Sequence, residues 1–183
     1  MAAKFTETDL PGVILIEPDT FPDSRGYFYE TYHIEKYQNG GLAKPFVQDN
    51  FSNSKKNVLR GLHYQITRPQ AKLVSCLRGE IFDVAVDIRK DSKTFGKWTG
   101  VQLTGENKHQ LFVPEGFAHG FCVLSEDADV HYKCTDIYVQ EYDRGLNWED
   151  PQFAISWPVA KPILSEKDSV LSKLSEVDSS DLP

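Results

Sequence analysis

The sequence predicts a mainly β protein, a sandwich or barrel of short strands forming one domain over residues 1–183. Three observations carry this. Runs rich in β-branched and aromatic residues recur at roughly 8–12-residue spacing, turn-forming residues separate them, and helical periodicity is confined to two short stretches. At roughly 100–200 residues per domain, a chain of 183 residues makes one unit, large enough to bury about two-thirds of its unfolded surface without disulfides or a structural metal.

The first run, Gly12–Ile16, is followed by the turn sequence Pro22-Asp23-Ser24 and a second run, Tyr27–Tyr32. Ile34–Gln38 has the pattern of a short helix closed by Asn39-Gly40. Phe46–Phe51 and Leu73–Leu77 read as strands, the latter stopped by Arg78-Gly79. Ile81–Ile88 shows the strongest alternation: Phe82, Val84, Val86 and Ile88 share one face, while Ile81, Asp83, Ala85 and Asp87 share the other. One face is greasy; the other carries carboxylates. Trp98–Leu103, Gln110–Val113, Gly120–Leu124 and Val130–Thr135 continue the series, punctuated by Thr94-Phe95-Gly96, Pro114-Glu115-Gly116 and Ser125-Glu126-Asp127. Val170, Leu171, Leu174 and Val177 form an apolar stripe behind Ser165 as N-cap, which predicts a C-terminal helix over about 166–177. Ser179–Pro183 reads as a frayed tail.

Composition excludes several function classes. The longest unbroken apolar runs are four residues, Val13–Ile16 and Phe121–Leu124, where a membrane span needs about 20. Met1–Asp9 has no apolar h-region, so no signal peptide is expected and the cytoplasm is the expected compartment. Cys76, Cys122 and Cys134 are odd in number and sit among apolar residues, as buried small hydrophobes do. A net charge of −7, with Lys55-Lys56 as the one basic doublet of its kind, argues against nucleic acid as a partner. An anionic small molecule requires positive charge gathered locally by the fold.

Two segments interrupt strand-like runs with polar groups. In Asn57–Tyr64, strict alternation puts Arg60 and Leu62 on one face and Leu59, Gly61 and His63 on the other. His63 then projects beside a glycine that leaves space, either as a base or as a hydrogen-bonded core residue. The second segment, Val113–Phe121, reads P-x-G-x-x-H-G-F from Pro114, a tight turn feeding a strand that contains His119. This resembles the second half of the cupin signature, whose fold is a jelly-roll barrel of two facing antiparallel sheets. Metal-binding cupins add H-x-H and a Glu on a neighbouring strand. Here His63 is followed by Tyr64 and Gln65, so no metal site is expected.

Arg25–Glu30, Phe46–Asn50, Ser54–His63, Phe82–Arg89 and Pro114–Phe121, taken together, resemble the dTDP-4-dehydrorhamnose 3,5-epimerases, a likeness running from about Leu10 to Asp168. It implies a homodimeric cupin jelly roll with short helices at its C-terminal end. It further implies inversion of C3 and C5 of dTDP-4-dehydro-6-deoxy-D-glucose to give dTDP-4-dehydro-L-rhamnose, on the way to dTDP-L-rhamnose. Both carbons flank the C4 ketone, so removing either proton gives an enolate, and reprotonation from the opposite face inverts the centre. That chemistry needs no cofactor. It needs a base, an acid opposite it and a positive group at the C4 oxygen.

By resemblance His63 is the base, since imidazole exchanges protons near neutral pH. Asp168 is the carboxylate that orients it, and Ser165-x-x-Asp168 also has the pattern of a helix start. Tyr132 matches the acid, and Lys72 faces the C4 oxygen. Arg25 and Arg60 match positions that contact the nucleotide-sugar, where a guanidinium fork suits phosphate oxygens. Glu30, Gln48, Asn50, His119, Asp143 and Lys167 match further binding positions, with Tyr138 placed to stack on thymine. The family often has Glu where this chain has Asp143, and residues 140–144 depart from its usual sequence. The alternative within the fold is a single-centre epimerase, at C3 or C5, acting on a related dTDP-keto-deoxy sugar. Gly12–Ile16 and Tyr27–Tyr32 are the expected dimer-pairing edges.

Overall fold

The computed structural model describes residues 3–183. Its strands are β1 (Ala3–Glu7), β2 (Ile14–Pro18), β3 (Thr20–Asp23), β4 (Gly26–Tyr29), β5 (Gln48–Lys55), β6 (Leu59–Gln65), β7 (Lys72–Arg78) and β8 (Glu80–Asp87). These are followed by β9 (Trp98–Thr104), β10 (Gln110–Val113), β11 (Phe117–Val123), β12 (Asp127–Cys134) and β13 (Asp143–Gly145). Helix α1 (Ile34–Asn39) precedes β5 and α2 (Glu166–Ser169) follows β13. One sheet runs β1-β2-β10-β7-β12-β5 and faces a second, β13-β6-β11-β8-β9, with every pairing antiparallel. This is the mainly β sandwich that the alternation and the turn residues predict, and the jelly roll that the family resemblance implies. The β3–β4 hairpin stands apart as a two-stranded ribbon.

The two faces of β8 meet different neighbours. Ile81 and Ala85 point between the sheets, packing with Val13, Val74, Leu111, Phe117 and Val130 in the barrel interior. Val84 and Val86 point outwards, yet are fully buried, because Leu146, Phe153 and Leu174 from the C-terminal quarter cover them. The outer face of the larger sheet is covered by α1 and its connections, with Tyr37, Leu42 and Leu73 at the centre. The carboxylate-bearing face of β8 is therefore the interior one.

Three expectations are corrected. The predicted helix over 166–177 is confined to Glu166–Ser169, followed by an irregular segment and a single 3₁₀ turn at Leu174–Glu176. Tertiary hydrogen bonds capture the backbone that would have continued it. Asn147 N–H donates to Ser172 O, Asn147 Nδ2 to Leu171 O, and Leu174 N–H to Asp150 Oδ2 at 2.6 Å. Leu174 is thereby turned into the outer core, while Val170 is left 79% exposed. Secondly, Gly12–Ile16 is no edge, because Ala3–Glu7 forms a strand outside it. Thirdly, Arg60 does not share a face with Leu62: Leu62 packs in the outer core, whereas Arg60 and His63 open onto the same cleft. The β6–β11 register shifts between the His119–His63 and Phe121–Arg60 pairs, and Gly61 absorbs the extra residue. A side chain at Gly61 (φ 122°) would put its Cβ 2.6 Å from Gly120 Cα and 2.8 Å from His119 O.

Candidate active site

Two adjoining hollows of about 260 and 230 Å³ share His63, Lys72 and Tyr132 and form one cleft at the end of the barrel. β6 supplies His63 and Arg60, β7 begins at Lys72, β12 supplies Tyr132, and β5 supplies Gln48 and Asn50. Strand residues fix these groups to a rigid frame, which a site requiring matched groups on opposite sides of one carbon demands.

His63 Nε2 lies 2.6 Å from Asp168 Oδ1, and the Asp168 side chain is only 4% exposed. Ser165 Oγ accepts from Asp168 N–H at 3.1 Å, so the residue that starts α2 also seats the carboxylate. Burial opposes ionisation of Asp168. It is outweighed by the hydrogen bond and charge of His63 and by donors from Ser165 and the Gly61 backbone, which hold the carboxyl below its ordinary range. Lys72 experiences the opposite balance: burial pushes its ammonium pKa down, opposed by the neighbouring Cys134 sulfur and the Asp143 and Asp83 carboxylates. Tyr132 is pushed up by burial, with Cys134 and Asp143 adding to the shift and Arg60 opposing it. A phenol and an imidazole thus line the same cleft, a potential proton donor and a potential proton acceptor.

Polar side chains surround this centre. Arg60 Nε donates to Ser54 Oγ at 2.9 Å. His119 Nε2 lies 2.9 Å from Asp83 Oδ1. Lys167 pairs with Asp143, whose Oδ2 also accepts from Tyr138 OH at 3.0 Å. Gln48 Oε1 accepts from Tyr138 N–H at 2.7 Å, while its Nε2 donates to Asn50 Oδ1 at 3.0 Å. Gln48, Asn50, Arg60, Lys72, His119, Tyr138, Asp143 and Lys167 thus all line the cleft. Of the four cations expected to gather, Arg60, Lys72 and Lys167 do so.

Arg25 and Glu30 do not reach this cleft. Arg25 sits on the β3–β4 turn, where its guanidinium binds Asp23 at 2.6 Å and is 86% exposed. Glu30 pairs with Lys36 at 2.6 Å. Residues that the sequence reading passed over also line the cleft: Ser52, Tyr64, Gln65, Gln70, Phe121 and Ser165. Ser52 follows Asn50 by one strand period, a signal that could have found it. Gln65 was legible only through its contacts, accepting from Val139 N–H and donating to Ile137 O. Among the described residues no group of three or more His, Cys, Asp or Glu side chains converges as metal ligands do.

Comparison with known proteins adds the following. A family profile described as dTDP-4-dehydrorhamnose 3,5-epimerase matches residues 7–176. A dTDP-4-dehydrorhamnose 3,5-epimerase of Methanothermobacter thermautotrophicus is 53% identical over 176 residues, covering 94% of this chain and 95% of that protein. A crystal structure of a dTDP-6-deoxy-D-glucose-3,5-epimerase from Legionella pneumophila, in complex with dTDP-4-keto-L-rhamnose, superposes with a TM-score of 0.97. It is 50% identical and covers 99% of this chain and 97% of that one. A dTDP-4-dehydrorhamnose 3-epimerase of Streptomyces niveus is more distant, 37% identical over 91% of this chain and 82% of its own length.

Proposed function

The chain belongs to the dTDP-4-dehydrorhamnose 3,5-epimerase family, and from that premise we propose how its cleft performs the reaction. The enzyme inverts C3 and C5 of dTDP-4-dehydro-6-deoxy-D-glucose, giving dTDP-4-dehydro-L-rhamnose for dTDP-L-rhamnose biosynthesis. His63, its Nε2 turned to Asp168, abstracts the proton on the carbon beside the C4 ketone with Nδ1, and Asp168 steadies the imidazolium that forms. Electrons move onto the C4 oxygen, where the Lys72 ammonium meets the developing charge in a site with little water. Tyr132 delivers a proton to the opposite face, and the centre is inverted. The same set of groups serves the second carbon after the sugar ring turns.

The observation that carries this reading is the His63–Asp168 pair at 2.6 Å in a cleft that Tyr132 and Lys72 also line. Arg60 and Lys167 hold the pyrophosphate, and the exposed ring of Tyr138 stacks on thymine. Purified protein given the substrate in D2O, with no cofactor added, is expected to place deuterium at both C3 and C5. Label at one carbon alone would instead identify a single-centre epimerase of the Streptomyces niveus kind.

A homodimer accounts for the residues that miss the cleft. Phe21, Tyr27 and Phe28 on the hairpin are 43%, 60% and 59% exposed, an apolar ribbon that Lys108, lying over the Tyr27 ring, covers only in part. Pairing through it carries Arg25 towards a second copy. Phe28→Ser is expected to yield monomers by light scattering, and an unchanged mass would remove the hairpin from the interface. We place the activity in the cytoplasm, where three free, buried cysteines suit a reducing compartment.

A further inference from the structure

The interior face of β8 carries two fully buried carboxylates with different surroundings. Asp87 is saturated: Arg89, Ser92 and Thr94 all donate to it, at 2.5–2.9 Å. Asp83, one strand period plus two residues earlier, has a single partner, His119 Nε2 at 2.9 Å, and its Oδ2 is buried without any hydrogen bond. Ile81 and Ala85 flank it in the apolar core. A half-paired carboxylate in such a place is a poor device for stability, and a well-packed apolar residue would serve the fold better. Its surroundings indicate another use. His119 lines the cleft beside Lys72 and Tyr132.

We infer that Asp83 is a positioning residue for the epimerisation: it fixes His119 as the ring protonated on Nε2 and sets a buried negative charge behind the cleft that His119 and Lys72 line. This rests on the assignment of Lys72 and His119 to the substrate cleft. Hydrogen bonding of Nε2 to Asp83 leaves Nδ1 as the only other polar atom of the ring. Every charge that faces Lys72 enters the balance: Cys134, Asp143 and Asp83 favour the ammonium, whereas burial and Lys167 oppose it. Of the three favourable groups, Asp143 is already engaged by Lys167 and Tyr138, and Cys134 is a thiol. Asp83 has an oxygen to spare. The site thus holds two histidine–carboxylate pairs, His63–Asp168 for moving protons and His119–Asp83 for setting the field.

The test is Asp83→Asn in the full chain. Asn Oδ1 still accepts from His119 Nε2–H, so position is kept while charge is lost. Binding of dTDP, measured by calorimetry, is expected to stay within about twofold, while kcat falls about tenfold or more and the alkaline limb of kcat moves to lower pH as Lys72 loses its support. A kcat and pH profile matching those of the parent would overturn the inference. In the unmodified protein, 15N imidazole shifts are expected to show His119 protonated on Nε2. The opposite tautomer would overturn the inference even if the variant does not fold. The parent enzyme and His63→Ala serve as controls: absence of exchange in the parent, or its survival in His63→Ala, would refute the cleft assignment itself.

Discussion

Replacing Asp168 with Asn removes one charge from the proton-transfer pair and little else. The N–H of residue 168 still meets Ser165 Oγ, so the start of α2 survives. What is lost is a charge-assisted hydrogen bond at 2.6 Å to His63, from a carboxylate only 4% exposed. Hydrogen bonds to charged groups are worth about 1.5–3 kcal/mol. His63 is 30% exposed and its solvation recovers part of this, so the lower half of the range applies before the transition state but the whole range once imidazolium forms. Only the difference between the two states, about 0.8–1.5 kcal/mol, lowers kcat at saturating substrate, so at about 1.4 kcal/mol per tenfold the expected fall is about four- to twelvefold. The assay is deuterium incorporation at C3 and C5 by NMR, with saturating substrate. Both positions should slow together, because one base serves both. A variant within about threefold of the parent would refute the view that Asp168 stabilises the charged imidazole.

Tyr132→Phe removes the opposing donor but leaves the base, so exchange is expected to continue with retention while inversion is lost; inversion at the parent rate, read from product coupling constants, would exclude Tyr132 as the acid. Gly61→Ala forces a Cβ against Gly120 Cα at 2.6 Å with φ at 122°, a strain of about 1–3 kcal/mol that should lower the melting temperature and displace His63. Unchanged melting and turnover would show that the pinch between β6 and β11 is soft. Asp87 predicts an acid limb of stability. Burial opposes its ionisation, but donors from Arg89, Ser92 and Thr94 prevail and its pKa falls to about 2. Because the folded value lies below the unfolded one, the stabilisation is complete above about pH 4 and disappears as pH falls through about 2. Asp87→Asn is expected to cost up to about 2 kcal/mol at pH 7 in denaturant titrations, with the difference from the parent vanishing near pH 2.

Much of this was legible because strand alternation and turn chemistry are local. The two faces of Ile81–Ile88 separate in the fold as they do on paper, although the greasy face proved to be the outer one. Alternation records that a face is buried and leaves open what buries it; Leu146, Phe153 and Leu174 arrive from some sixty to ninety residues away. The pairing of Arg60 with His63 on one face could not be read, because a one-residue shift is set by the partner strand and by Gly120. The C-terminal helix failed for a related reason, its apolar stripe being real but its backbone hydrogen bonds claimed by Asn147 and Asp150. The cleft's principal groups followed from family motifs. Asp83, visible as an interior carboxylate, gained meaning only when its single hydrogen-bonding partner was known.

The brevity of α2 has a consequence of its own. Lys167, which pairs with Asp143, and Asp168, which pairs with His63, are joined by one peptide bond on a helix of four residues. With the roles proposed for these two residues, nucleotide anchoring and alignment of the base are expected to change together. Asn147 and Asp150, which tie down the chain just beyond, touch no substrate, yet a change in either would reach affinity and turnover at once.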